Sequence, residues 1–259
     1  MIVKQLKELW AYQEMVIMLV RRDLRGRYKG SMLGFLWTFL NPLLQLAVYT
    51  AVFSVIMRAG IDKYYIFLFV ALIPWMFIAS SVQAGCTCIL GQSTMVTKIY
   101  FPRMVLPIAH ATTCFVNMLL CFVVVLVVCG VSVGINLIAL PYLIPTMIIE
   151  YILALGLTLI VSAVTVYFRD MEHLMGIFVM AWQFLSPVMY SVDMVPGVLQ
   201  PVFMLNPMTA ILISYRDILY YKKPPNLSSM FLALVMGLIF LALGWMVFTN
   251  LERHFAEEL

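Results

Sequence analysis

The chain has 259 residues, of which 64% are hydrophobic and only 11% charged, against roughly 25% charged in an ordinary soluble domain. So few polar groups cannot cover a soluble globule of this size, which excludes a water-soluble enzyme. The net charge is only +4, so what informs is where along the chain the basic residues fall.

The first 29 residues stand apart. Leu6, Leu9, Val16, Val20 and Leu24 recur at helical spacing with Trp10 beside them. This predicts an amphipathic helix over 1–29 that lies among membrane lipid headgroups, with Trp10 as an interfacial anchor. The apolar stretch 15–20 is too short for a cleavable signal and runs straight into Arg21, Arg22 and Arg25.

Residues 30–259 read as one all-α, polytopic domain of six transmembrane helices. A charge at mid-bilayer costs about 3 kcal/mol or more, so runs free of Asp, Glu, Lys and Arg mark the spans. The spans are placed from them at about 31–57, 64–90, 104–129, 141–168, 172–192 and 228–250, the fourth continuing past Glu150 and the fifth starting at Glu172. The charge-free run 104–149 holds two crossings, and Gly130, Gly134, Asn136 and Pro141 supply the turn between them. Between the fifth and sixth spans, the run 194–215 carries Pro196, Gly197, Pro201, Asn206 and Pro207. Each of these breakers frees backbone groups that lipid cannot satisfy. A re-entrant hairpin over 196–216 closing the outer mouth is therefore expected, with Pro201, Asn206, Pro207 and Arg216 as its gate residues. With the N-terminus inside, 11 Lys and Arg lie on cytoplasmic segments and 5 on outer ones, which predicts both termini in the cytoplasm.

Catalytic motifs are missing from the sequence. It contains no Gly-rich phosphate loop of the Walker A type, no His-Glu-x-x-His and no Gly-x-Ser-x-Gly. The cysteines (Cys86, Cys88, Cys114, Cys121 and Cys129) are odd in number and sit in apolar runs, where a free thiol serves as a small apolar filler. His110, His173 and His254 are scattered, so no metal site is expected, and no nucleic-acid partner either. One carboxylate, Glu150, lies nine residues beyond Pro141, about 13 Å into the fourth span. Its role is left between hydrogen-bonded packing and proton relay.

Several stretches together resemble a known family. They are Arg27-Tyr28-Lys29-Gly30-Ser31-Met32-Leu33-Gly34, Phe35-Leu36-Trp37, Leu40-Asn41-Pro42, and Val48-Tyr49 with Val52-Phe53-Ser54 in and before the first span. Lys98-Ile99-Tyr100-Phe101-Pro102-Arg103 with Leu106-Pro107 follows the second span. Tyr167-Phe168-Arg169-Asp170, His173-Leu174 and Ser186-Pro187-Val188-Met189-Tyr190 bracket the fifth, and Leu205-Asn206-Pro207-Met208 with Tyr215-Arg216 comes after it. In this order, over nearly the whole chain, the sequence is similar to ABC-2 type permeases that export polysaccharides.

The resemblance implies a permease subunit in a bacterial cytoplasmic (inner) membrane, moving a lipid-linked glycan of the O-antigen or teichoic acid kind. It implies a homodimer working with separate ABC ATPase subunits, which would hold the ATP and Mg; this chain is expected to bind no cofactor and to be no enzyme. Within that frame the segment 91–103 is expected to form a coupling helix and turn on the ATPase. Lys98, Ile99, Tyr100, Phe101, Pro102 and Arg103 carry it, with Arg169 and Asp170 at a second cytoplasmic turn. A conduit is expected along the first and fifth spans. At 100° per residue, Thr38, Pro42, Gln45, Tyr49 and Phe53 share one face, and Trp182, Gln183, Ser186 and Tyr190 share another. Aromatic rings with polar handles and side-chain amides can guide sugar rings through weak, repeated contacts. The rival readings are an ABC-2 type exporter of a drug or small lipid, and a polytopic membrane transferase. The second would have only Asp170, Glu172 and His173 as clustered polar groups.

Overall fold

The computed structural model describes residues 2–26, 30, 32–56 and 60–259. Arg27, Tyr28, Lys29, Ser31 and Arg58, and with them both ends of the first predicted span, lie outside the described residues. Among the described residues the chain is all helix: α1 (Ile2–Ala11), α2 (Gln13–Gly26), α3 (Trp37–Thr50), α4 (Tyr64–Gln83), α5 (Ser93–Lys98), α6 (Val105–Ser132), α7 (Leu143–Tyr167), α8 (Met171–Phe184), α9 (Gln200–Met204), α10 (Pro207–Leu219), α11 (Leu227–Leu251) and α12 (Phe255–Glu258).

Five of the described helical stretches are long and apolar enough to cross a membrane: Gly34–Ile56, Tyr64–Gln83, Val105–Ser132, Leu140–Tyr167 and Leu227–His254. The predicted fifth span is shorter than expected. α8 has 14 residues, about 21 Å at 1.5 Å per residue, and ends at Phe184 rather than 192. The cause is Ser186-Pro187: proline has no N–H for the helix ladder and pushes the residue before it out of the α region. α4 likewise stops before 90, turning at Ala84-Gly85, where Thr158 Oγ1 donates to the Ser81 carbonyl at 3.1 Å and ties the last turn to α7.

The bundle has two dissimilar ends. At one end, here the terminal end, both chain termini meet. There Leu19, Val20, Val96, Phe101, Met104, Leu159, Val166, Phe248 and Phe255 form an apolar cluster. α1 and α2 meet at Tyr12 instead of running as one helix. α2 packs along α6; Leu6 and Trp10 of α1 and Ile17 and Met18 of α2 are exposed. At the opposite, loop end, basic side chains tie the connections together through carbonyls. Lys63 Nζ donates to Ser132 at 2.6 Å and Lys222 Nζ to Val133 at 2.8 Å. Asn136 Nδ2 donates to the Lys222 carbonyl at 2.8 Å, and Tyr220 Oη to the Asp62 carbonyl.

The core between the ends centres on α4, whose residues from Tyr64 to Ile78 are nearly all buried. The closest helix pair is α7 with α11. A Cβ at Gly156 would stand 2.6 Å from Leu241 N, and one at Gly244 2.4 Å from the Gly156 carbonyl oxygen. This backbone-to-backbone approach is the small-residue packing of membrane helices. Gly156→Val is therefore expected to separate the pair and destabilise the bundle by about 1–3 kcal/mol or more, the usual scale of overpacking. Gly176→Val, at a position with open space, serves as the control, and thermal denaturation in detergent is the measurement.

Candidate functional site

Three groups of residues were expected to act, and the fold treats each differently. On α3, the predicted stripe turns toward α4 and α6. Thr38 and Pro42 are buried, and the Thr38 carbonyl accepts from Cys121 Sγ at 3.3 Å. Gln45 Nε2 donates to Tyr49 Oη at 3.3 Å, and Phe53 stacks on Tyr64 with ring centroids 6.3 Å apart. Away from this stripe, Leu44 and Val48 of α3, with Leu36 just before it and Val55 just after it, are exposed. Where the stripe begins, a cavity of about 170 Å³ opens between Trp37, Thr38, Asn41, Ser80 and Asn117. Asn41, Ser80 and Asn117 were not among the conduit residues read from the sequence. The signal was there, since polar side chains in charge-free apolar runs are costly unless they serve something.

The second group brings together residues that sequence reasoning had assigned to separate conduit and gate. Trp182 Nε1 donates to Asn206 Oδ1 at 3.1 Å. Asn206 Nδ2 donates in turn to Ser186 Oγ at 2.8 Å and to the Leu185 carbonyl at 3.2 Å. The same Oδ1 accepts from Met208 N at 3.1 Å and so caps α10, the N-cap role that asparagine fills well. Tyr190 Oη donates to the Phe184 carbonyl at 2.6 Å. Gln183 Nε2 has no partner among the described residues. Pro207 is buried at the start of α10, while Pro201 on α9 is exposed.

Arg216, expected as a gate residue of the hairpin, is 3% exposed, with its guanidinium 3.6 Å from the centroid of the Phe67 ring. Nη1 donates to the Pro187 carbonyl at 2.6 Å and to that of Tyr190 at 3.2 Å, Nη2 to Val188 at 2.7 Å, and Nε to Phe67 at 3.3 Å. Tyr64 Oη takes the remaining carbonyl of that turn, Met189, at 2.7 Å. The backbone freed by Pro187 is thus satisfied by side chains from α4 and α10. Its neighbour Asp217 pairs with Lys223 at 3.3 Å.

The third group lies at the terminal end. α5 finishes at Lys98, and Ile99 is extended. Ile99 and Tyr100 are exposed, but Phe101 is 5% exposed and belongs to the apolar cluster. Phe101, expected among the residues that carry the coupling contact, is therefore an anchor of this loop, with its side chain turned into the protein. An extended chain sends successive side chains to opposite sides, which separates Tyr100 from Phe101. Beyond Pro102, Arg103 Nη1 donates to the Glu252 carbonyl, and its guanidinium carbon lies 6.0 Å from the Phe255 ring centroid. Tyr167 Oη donates to the Leu251 carbonyl at 2.8 Å, which brings the exposed Arg169-Asp170 turn to the same C-terminal segment. A groove of about 270 Å³ runs between α1, this loop, Glu252 and Arg253.

Among the described residues no group of three or more His, Cys, Asp or Glu is placed to hold a metal ion. Glu150 is wholly buried and accepts from Tyr215 Oη at 2.6 Å.

Residues 14–220 match the family described as ABC-2 type transporter. The chain is 33% identical over 263 residues to the O-antigen export system permease protein RfbA of Myxococcus xanthus, covering 99% of this chain and 100% of that protein. It is 30% identical over 255 residues to the protein of the same name from Klebsiella pneumoniae, covering 95% of each.

Proposed function

This chain belongs to the ABC-2 type transporter family, and on that premise we propose that it is the membrane subunit of an ATP-driven exporter of a lipid-linked, O-antigen-like polysaccharide. The observation that carries the reading is the end-to-end match to permeases named for O-antigen export. Those names favour an O-antigen-like glycan over a teichoic acid or a drug. The test is complementation: in cells lacking this chain, the intact gene restores surface polysaccharide and a vector does not. Unchanged surface polysaccharide in the deleted cells would refute the assignment.

The working unit is a homodimer carrying two ATPase subunits, since one protomer's helices can border only half of a glycan-wide passage. ATP and Mg belong to those partners. The terminal end faces the cytoplasm, in keeping with the basic residues of α1, α2 and α5. Lys98, Ile99, Tyr100 and the Arg169-Asp170 turn meet the ATPase there. The polymer passes near the amide-lined cavity at Trp37, Asn41 and Asn117 and along the end of α8, where Trp182, Ser186 and Tyr190 sit.

α8, with the turns after it, makes the fifth of six crossings, and α9 and α10 re-enter from the outer side. Asn206 and Pro207 support this placement by lining a cavity with Leu153 of α7 and Met236 of α11. Those residues are roughly 15 Å along their helices at 1.5 Å per residue, near the middle of a bilayer core about 30 Å thick. Val198, in the turn that leads into α9, is 89% exposed and Thr209 wholly buried. An impermeant thiol reagent added outside should therefore modify a Val198→Cys variant and leave a Thr209→Cys variant untouched. Modification of Val198→Cys only from the cytoplasmic side would overturn the re-entrant placement.

A further inference from the structure

We infer that Glu150 is a positioning residue for export: the hydrogen bond it accepts from Tyr215 fixes α10 against the α7–α11 pair and so holds Arg216 on the carbonyls of 187–190. The inference rests on the exporter reading above.

Stability does not explain this pair. Glu150 and Tyr215 are both 0% exposed, and Glu150 Oε1 has no hydrogen-bond partner among the described residues. A buried carboxyl with one bond is costly. Replacing both members of such a pair with apolar groups of similar shape is commonly neutral or stabilising. What the pair supplies that two apolar side chains do not is direction. Apolar contacts tolerate sliding, whereas a hydrogen bond weakens steeply with misalignment.

The neighbours of the pair make that direction matter. The Tyr215 ring is also held from α6 by Phe122, with centroids 5.3 Å apart. Arg216 is the next residue, about 100° around α10, so the rotation that suits Tyr215 also sets the reach of Arg216 to the Pro187, Val188 and Tyr190 carbonyls. α7, which carries Glu150, is closely apposed to α11 at Gly156 and Gly244. The far end of α11 is tied to the loop at Ile99 and Tyr100 through Arg103 and the Glu252 carbonyl. A displacement of that loop thus has a continuous route to the outer turn, and its only link between α7 and α10 that depends on direction is Glu150 with Tyr215 among the described residues.

The experiment compares Tyr215→Phe, Glu150→Gln and the double variant Glu150→Leu with Tyr215→Phe, each as the full chain co-expressed with its ATPase. Surface polysaccharide is measured in cells lacking the native chain, and basal ATP hydrolysis and thermal stability are measured on the purified complex. The double variant is expected to assemble, melt and hydrolyse ATP like the wild type while export falls at least about tenfold, the factor set by about 1.4 kcal/mol. Glu150→Gln keeps a carbonyl acceptor for the tyrosine and is expected to keep export. Normal export by the double variant overturns the inference. So does an assembled Glu150→Gln that fails to export, because the charge or proton would then be what matters. If the double variant does not assemble, Tyr215→Phe, which lacks one hydroxyl only, decides by the same readouts, and normal export by it overturns the inference. Failure of the wild-type chain to restore surface polysaccharide would instead sink the exporter reading and is visible in the same assay.

Discussion

Arg216→Met should abolish export and lower the stability of the chain by about 3–5 kcal/mol, since it removes the donors from several buried carbonyls at once and each orphaned group costs roughly 1–3 kcal/mol. In thermal denaturation this corresponds to a fall of roughly 10 °C for a protein of this size. The carbonyls of Pro187, Val188 and Tyr190 lie in a turn that Pro187 has already taken out of the helix ladder, so no backbone N–H stands ready to replace the guanidinium. Methionine matches the length and apolar bulk of arginine, so the loss reports on donors and not on packing. Arg216→Lys should rescue little, because an ammonium is a compact, strongly hydrated point charge without the planar fork that reaches separate carbonyls. Lys223→Met breaks an ion pair whose basic partner is 61% exposed, and pairs of that kind contribute roughly 0–1 kcal/mol. An Arg216→Met chain that melts within a degree or two of the wild type would show that the turn does not depend on the clamp.

What was readable in the sequence, and what was not, follows from which interactions leave a trace in residue order. Charge-free runs betray helices such as α6 and α11 because lipid excludes charge wherever the chain crosses. The break between α6 and α7 shows as Gly134 and Asn136, and Gly134 indeed has a φ of +84°. The early end of α8 was harder to see. Hydropathy registers side chains, and residues 185–192 are uncharged and mostly apolar, but Pro187 alters backbone bonding, which hydropathy does not weigh. The clamp made by Arg216 was hidden for the reverse reason: an arginine beside a loop does not reveal its partners, which are backbone carbonyls some 30 residues away and on α4. The division of labour between Tyr100 and Phe101 was likewise hidden, since two neighbouring aromatics look alike and only the extended backbone at Ile99 decides which of them turns inward. On α3, helical arithmetic puts Thr38 and Pro42 on one face, but arithmetic cannot say whether that face meets a passage or the chain's own α4 and α6.

The corrected position of Phe101 sharpens the expectation for the ATPase contact. The double variant Ile99→Asp, Tyr100→Ala is expected to lose the partner ATPase on co-purification and to stop export while keeping the thermal stability of the isolated chain. Tyr100 is 85% exposed and Ile99 58%, so neither contributes much to the fold. Both sit on a loop that is stiff, anchored by Phe101 in the apolar cluster on one side and by Arg103 on the Glu252 carbonyl on the other. A stiff, exposed tyrosine beside an aliphatic side chain is the kind of anchor that dominates an interface, and truncating such a residue typically costs 2 kcal/mol or more, roughly thirtyfold in affinity. The aspartate adds an unpaired charge to a desolvated contact, which deepens the loss. Phe101→Ala should fail in a different way: it leaves a cavity in the cluster and costs about 3–5 kcal/mol of stability, so both melting temperature and export fall. Contrasting the two variants separates docking from folding. Retained ATPase by the Ile99→Asp, Tyr100→Ala chain would move the contact to the other exposed turn of the terminal end, where Phe168 is 68% exposed beside Arg169 and Asp170.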